Sequence, residues 1–108
     1  YEGKARYNDD QIAVNHHAPV YVYEHGESGC SISGGTHVRS NSLSSLRGWY
    51  VFGDYCSGRI TALKVSGNTT ERSQVLVERA GNVTAVRSAT NGDVYVLALS
   101  GAVSVLRP

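Results

Sequence analysis

The chain repeats itself, and the length of that repeat restricts the fold more than any other feature of the sequence. Val38-Arg39-Ser40 recurs as Val86-Arg87-Ser88, Tyr50-Val51 as Tyr95-Val96, Gly58-Arg59-Ile60 as Gly101-Ala102-Val103, and Leu63-Lys64 as Leu106-Arg107. The matches keep their order while the offset shrinks from 48 through 45 to 43 residues, as one repeat with a longer first loop would give. No 3.6-residue periodicity is sustained; instead, short runs rich in Val, Tyr, Ile and Thr are bounded by Gly, Asn and Ser. A repeat of roughly 40 to 50 residues built from four short strands is the sequence sign of a propeller blade, which cannot bury both its faces alone. The expected fold class is therefore all-β, with antiparallel four-stranded blades of a β-propeller, about two of them.

Strands are expected near Pro19 to Glu24, Ser31 to Val38, Gly48 to Asp54, Arg59 to Val65, Gln74 to Arg79, Val83 to Ser88, Asp93 to Leu99 and Ala102 to Arg107. This divides the 108 residues into a loop and outer strand of a preceding blade (1–28), a complete blade (29–80) and a last blade with three strands (81–108). A propeller needs at least four blades. Three routes to closure follow: the strand at Pro19 to Glu24 completes the last blade within or between chains, about three copies assemble into a ring, or the chain is part of a larger polypeptide.

Charge names no partner. Lys plus Arg is 10 against Asp plus Glu at 9, and the basic residues are scattered, so neither nucleic acid nor an anionic membrane is an expected partner. No apolar run approaches the roughly 20 residues that span a bilayer, and the first residues lack the order of a signal peptide, so a soluble chain is expected.

Cys30 and Cys56 are too few for a zinc site and form no CxxC pair, which leaves a disulfide or two free thiols. A disulfide would close a loop of about 25 residues and contribute roughly 3 kcal/mol in the chain-entropy account. Two sequons, Asn68-Thr69-Thr70 and Asn82-Val83-Thr84, fall in or beside expected loops and make Asn68 and Asn82 candidate glycosylation sites. Paired cysteines, the sequons and the absence of Met together point to an extracellular or secreted chain.

Three further groups invite a chemical reading. Asp9-Asp10 with His16-His17 has metal-ligating residue types, but Asn8-Asp9-Asp10 has turn composition and no fourth ligand is placed, so no metal site is expected. Asp54, at a strand end before Cys56-Ser57-Gly58, suits a carboxylate accepting N–H bonds from the following turn. Tyr21, Tyr23, Trp49 and Tyr50 could stack on a sugar, though alternating aromatics also serve ordinary blade packing, the favoured reading.

The segments Ala18 to Ser40 (APVYVYEHGESGCSISGGTHVRS), Leu46 to Leu63 (LRGWYVFGDYCSGRITAL) and Asn91 to Leu106 (NGDVYVLALSGAVSVL), with Tyr1-Glu2-Gly3, resemble the C-terminal blades of the glucose/sorbosone dehydrogenase family. That family includes soluble pyrroloquinoline-quinone (PQQ) sugar dehydrogenases and hedgehog-interacting-protein-like secreted proteins, all six-bladed propellers. The resemblance implies that about two thirds of such a propeller lies outside this chain. It also implies that Arg39, near the end of an innermost strand, contacts the carboxylates of the quinone, which suits a guanidinium fork. Other parts of the implied site do not match. Where the enzymes carry a second basic pair, Arg79-Ala80-Gly81-Asn82-Val83 supplies at best Arg79, and neither His25 nor His37 falls at the position of the catalytic base. The calcium ligands belong to other blades. The implied parent activity is PQQ- and calcium-dependent sugar oxidation, with no cofactor bound and no catalysis by this chain alone. The competing expectation is a non-enzymatic secreted module that binds an extracellular protein or a glycan.

Overall fold

The computed structural model describes Lys4, residues 17–27 and residues 29–108. Among the described residues, seven strands form two antiparallel sheets. The first sheet joins β1 (Ile32–His37), β2 (Tyr50–Asp54), β3 (Ile60–Ser66) and β4 (Thr69–Val77) in sequence order, and a short 3-10 segment, Asn41–Leu46, bridges β1 and β2. The second joins β5 (Val83–Ser88), β6 (Val94–Ala98) and β7 (Val103–Val105), also in sequence order. Each is a meander whose strands, apart from β1 and β2, are joined by short turns. At the β3–β4 hairpin, Gly67-Asn68 connects the paired Ser66 and Thr69, with Gly67 at φ +59°, a conformation glycine adopts without steric cost.

The sheets stack as successive propeller blades. β1 and β5, the first strand of each, run side by side and parallel: Ser33 Oγ donates to the Val83 carbonyl, the Gly34 backbone lies against Ala85 and Val86, and Thr36 Oγ1 is 2.6 Å from Ser88 Oγ. Gly34 has to be small here, because a Cβ would come 3.2 Å from the Val86 nitrogen. Between the sheets lies one aliphatic core of Val38, Leu43, Val51, Ile60, Ala62, Val83, Val86, Val94 and Val96. At about 25 cal/mol per Å² of apolar surface, each buried Val or Ile contributes roughly 1.5–3 kcal/mol. This core holds the two sheets as one unit.

The structure corrects three expectations. Pro19 to Glu24 joins no sheet. Its aromatic side chains pack on Phe52, on the face of the first sheet turned away from the second, and its backbone is held by Thr70 Oγ1 donating to the Val20 carbonyl at 2.8 Å. Placed there, it cannot complete the last blade within this chain. The fourth strand starts at Thr69 and not at Gln74, because a polar hairpin arm with little apolar signal still pairs fully with β3.

The third correction concerns the repeat. Val51 and Val96, matched by sequence, both point into the contact between the sheets. Blades stacked the same way up meet front to back, so equivalent positions cannot both face the shared contact. With a side-chain period of two, the structural repeat is displaced by one residue from the Tyr50-Val51/Tyr95-Val96 match.

Candidate functional site

The most constrained side chain is Asp54, the last residue of β2 and only 2% exposed. Its Oδ1 accepts from the backbone N–H of Cys56 (2.8 Å), Ser57 (2.9 Å) and Cys30 (3.2 Å) and from the Ser57 hydroxyl (3.3 Å). Oδ2 accepts from the Tyr23 hydroxyl at 2.6 Å and the Ser31 N–H at 3.0 Å. Burial by itself would raise the carboxyl pKa, but the Tyr23 hydroxyl and the N–H groups of Ser57, Ser31 and Cys30 outweigh it and hold the pKa at about 2. The same contact works in the opposite sense on Tyr23, whose phenol is pushed well above its ordinary value by burial and then by the Asp54 carboxylate.

This network has a tight geometric requirement. Gly29 has φ +140°, and a Cβ there would fall 2.2 Å from the Asp54 carboxyl carbon. Gly58, at φ +71° in the turn after Asp54, would place a Cβ 2.5 Å from the Gly81 carbonyl at the start of the second sheet. Both positions exclude any side chain.

Cys30 and Cys56 form a disulfide across this turn, with Cα atoms 5.6 Å apart. The carboxylate therefore fastens three segments, Pro19 to Glu24 through Tyr23, the entry to β1 through Cys30 and Ser31, and the β2–β3 turn, and the disulfide fastens the last two of them. The grouping of Cys30, Asp54 and Cys56 has metal-ligating residue types, but its sulfurs are bonded to each other and both carboxylate oxygens are occupied by hydrogen-bond donors. The donor set does not fit a calcium ion.

Arg39 lies two residues past the end of β1, exposed, beside the β5–β6 turn at Gly92. Among the described residues its guanidinium forms no ion pair, so its chemistry is open to a carboxylate ligand. Arg79 is exposed after β4. His25 is exposed on the rim of a cavity of about 280 Å³ shared with Tyr23 and Cys30, and His37 is exposed with its ring edge-on to Tyr50 at 5.2 Å. No catalytic grouping brings these residues together among those described.

Tyr21 and Tyr23 cover Phe52 with ring centroids 5.9 and 6.5 Å away, so these aromatics pack on one another. Trp49 packs against the aliphatic core. Asn68 sits exposed at the tip of the β3–β4 hairpin, whereas Asn82 donates from Nδ2 to the Tyr55 carbonyl at 2.9 Å and so ties the second sheet to the disulfide turn. Asp9, Asp10 and His16 lie outside the described residues, and His17 is exposed. The link from Tyr23 to Asp54 was not foreseen in the sequence. Its only signal is a buried-type aspartate preceded by glycine and followed by a cysteine turn, which does not name a partner 31 residues away.

No protein-family model matches the chain. Among solved structures it is similar to a glucose dehydrogenase, with a TM-score of 0.63 and 18% identity over 75% of this chain and 25% of that one. A second glucose dehydrogenase structure matches with a TM-score of 0.55 and 21% identity over 61% of this chain and 20% of the other. The likeness bears out the fold expected from the resemblance, and the chain spans a quarter or less of the structures it matches.

Proposed function

We propose that the chain is a two-blade part of a propeller of the sugar dehydrogenase type, whose parent activity is PQQ-dependent oxidation of a sugar. The observation that carries this reading is Arg39, an exposed guanidinium with no acidic partner among the described residues, just beyond the innermost strand of a blade similar to those of glucose dehydrogenases. A guanidinium fork binds one carboxylate through two parallel N–H bonds and so orients a planar acid. When bound, the quinone takes up the electrons and hydrogen removed from a sugar carbon. The role of this chain is to bind and orient. The calcium site and the proton acceptor lie with other blades, so the chain alone does not turn over substrate.

The disulfide supports an extracellular setting, since such bonds persist in oxidising compartments. There the exposed sequon at Asn68, and that at Asn82, are proposed glycan acceptors.

Titrating the full-length parent propeller with PQQ in the presence of calcium, followed by fluorescence quenching, tests the reading. The unsubstituted propeller binds, and Arg39→Gln weakens binding by roughly 10- to 100-fold, since a hydrogen-bonded charge contributes about 1.5–3 kcal/mol. Binding that is absent, or indifferent to Arg39, refutes the cofactor role and leaves the protein- or glycan-binding module as the better account.

A further inference from the structure

Arg39 is a single link between two fixed points of the first sheet. Before it, Val38 donates its N–H to the Trp49 carbonyl and accepts from the Gly48 N–H, both at 2.9 Å, which locks the chain after β1 to the entry of β2. After it, Ser40 is buried, and its Oγ accepts from the Ser42 N–H at 3.2 Å and lies 2.7 Å from Ser42 Oγ, capping the 3-10 segment. Arg39 itself is exposed. The first sheet thus holds the backbone on both sides of the arginine, and the second blade bears on that same stretch.

The element that does so is the β5–β6 turn. The Ala89 N–H donates to the Asp93 carbonyl at 2.8 Å, the Gly92 N–H to the Ala89 carbonyl at 2.9 Å and the Asp93 N–H to Asn91 Oδ1 at 3.0 Å, so the turn is closed by its own bonds. Gly92, at φ +91°, abuts the arginine's peptide: a Cβ there would lie 3.1 Å from Ser40 Cα, 3.2 Å from Ser40 N and 3.4 Å from the Arg39 carbonyl carbon. All three are backbone atoms, which cannot rotate aside. The contact continues the close approach of β1 to β5 seen at Ser33, Gly34 and Thr36. We propose that Gly92, with the Ser40 cap behind the link, positions Arg39: the bare backbone of the second blade's turn sets the direction in which the guanidinium presents its fork. A two-pronged fork is directional, so an error of about 0.5 Å or 10–20° weakens its grip on a carboxylate. The inference rests on the reading of Arg39 as a carboxylate ligand.

Titrations of the full-length parent propeller with PQQ and calcium test it against a matched control. Gly101, in the β6–β7 turn of the same blade, has φ +97° and open space where a Cβ would stand, so Gly101→Ala carries the same backbone strain without the contact. Gly92→Ala is expected to weaken PQQ binding about 3- to 10-fold, while Gly101→Ala binds as wild type. In an Arg39→Gln background the Gly92→Ala loss should vanish, because a residue that acts only through Arg39 then has nothing to orient. Ser40→Ala, which removes atoms and cannot clash, is expected to weaken binding in the same direction. It keeps the test decisive where melting curves show Gly92→Ala unfolded. Unchanged affinity in folded Gly92→Ala, or in Ser40→Ala where Gly92→Ala is unfolded, overturns the inference. So does an equal loss in Gly101→Ala, or a loss that persists without Arg39. Binding indifferent to Arg39→Gln refutes instead the carboxylate-binding reading itself, so the two failures are told apart.

Discussion

Replacing Asp54 by Asn changes one oxygen to a nitrogen in the most densely bonded side chain of the structure. If the amide oxygen takes the place of Oδ1, the donors from Cys30, Cys56 and Ser57 keep an acceptor, although a neutral one. The amide nitrogen then faces the Ser31 N–H, donor against donor, while the Tyr23 hydroxyl can rotate to accept. Two routes bound the cost. Lowering the carboxyl pKa from 3.8 to about 2 means that ionised Asp54 is worth about 2 kcal/mol more in the folded than in the unfolded chain. Leaving the Ser31 N–H unsatisfied adds about 1–3 kcal/mol. Asp54→Asn should therefore destabilise by about 3–5 kcal/mol, a large share of the roughly 5–15 kcal/mol typical of a domain. Urea denaturation at pH 7 measures the loss, and a pH series supplies the second check. Because the folded pKa is depressed, the wild-type contribution is complete above pH 3.8 and disappears as the pH falls through about 2. The variant should lack that portion of the acid dependence. A variant within about 0.5 kcal/mol of wild type, the range of an ordinary surface substitution, or one with an unchanged acid profile, would refute the reasoning.

Reducing the Cys30–Cys56 disulfide, which spans 26 residues, should cost about 3 kcal/mol and lower the melting temperature; melting curves with and without dithiothreitol check it. Gly29→Ala should destabilise by more than about 2 kcal/mol, because its Cβ collides with the Asp54 carboxylate, whereas Gly48→Ala, at φ +87° but facing open space, should cost only about 1 kcal/mol of backbone strain. Equal losses at the two glycines in chemical denaturation would sink the account. Secreted from a eukaryotic host, the chain should carry a glycan at Asn68, detected as an endoglycosidase-sensitive mass that Asn68→Gln removes; a mass unaffected by that substitution counts against the site.

Particular residues show how far the sequence could be read. The alternation in β6, where Val94 and Val96 are buried and Tyr95 and Leu97 between and beside them are only half-buried, signalled a strand directly, because side chains one residue apart lie on opposite faces. Polar Thr69 to Ser73 escaped notice because backbone pairing, not burial, makes them a strand. Pro19 to Glu24 misled in the other direction: its alternating Tyr and Val fit a half-buried strand, yet they were satisfied by ring packing on Phe52. At the candidate site, the Asp54 bonds to the following turn were legible as local chemistry, and the bonds to Tyr23, Cys30 and Ser31 were not.

By itself the sequence determined the all-β character, the division into two blades and the residue types at the cysteine turn. These depend on local alternation and turn chemistry, both of which operate within a few residues. Only the tertiary structure decided that Cys30 and Cys56 are bonded, that a tyrosine 31 residues from Asp54 completes its hydrogen-bond shell, and that the true repeat lies one residue away from the motif. Each of those depends on which face of a sheet looks at which neighbour. A one-residue shift reverses that choice without changing the composition of any strand.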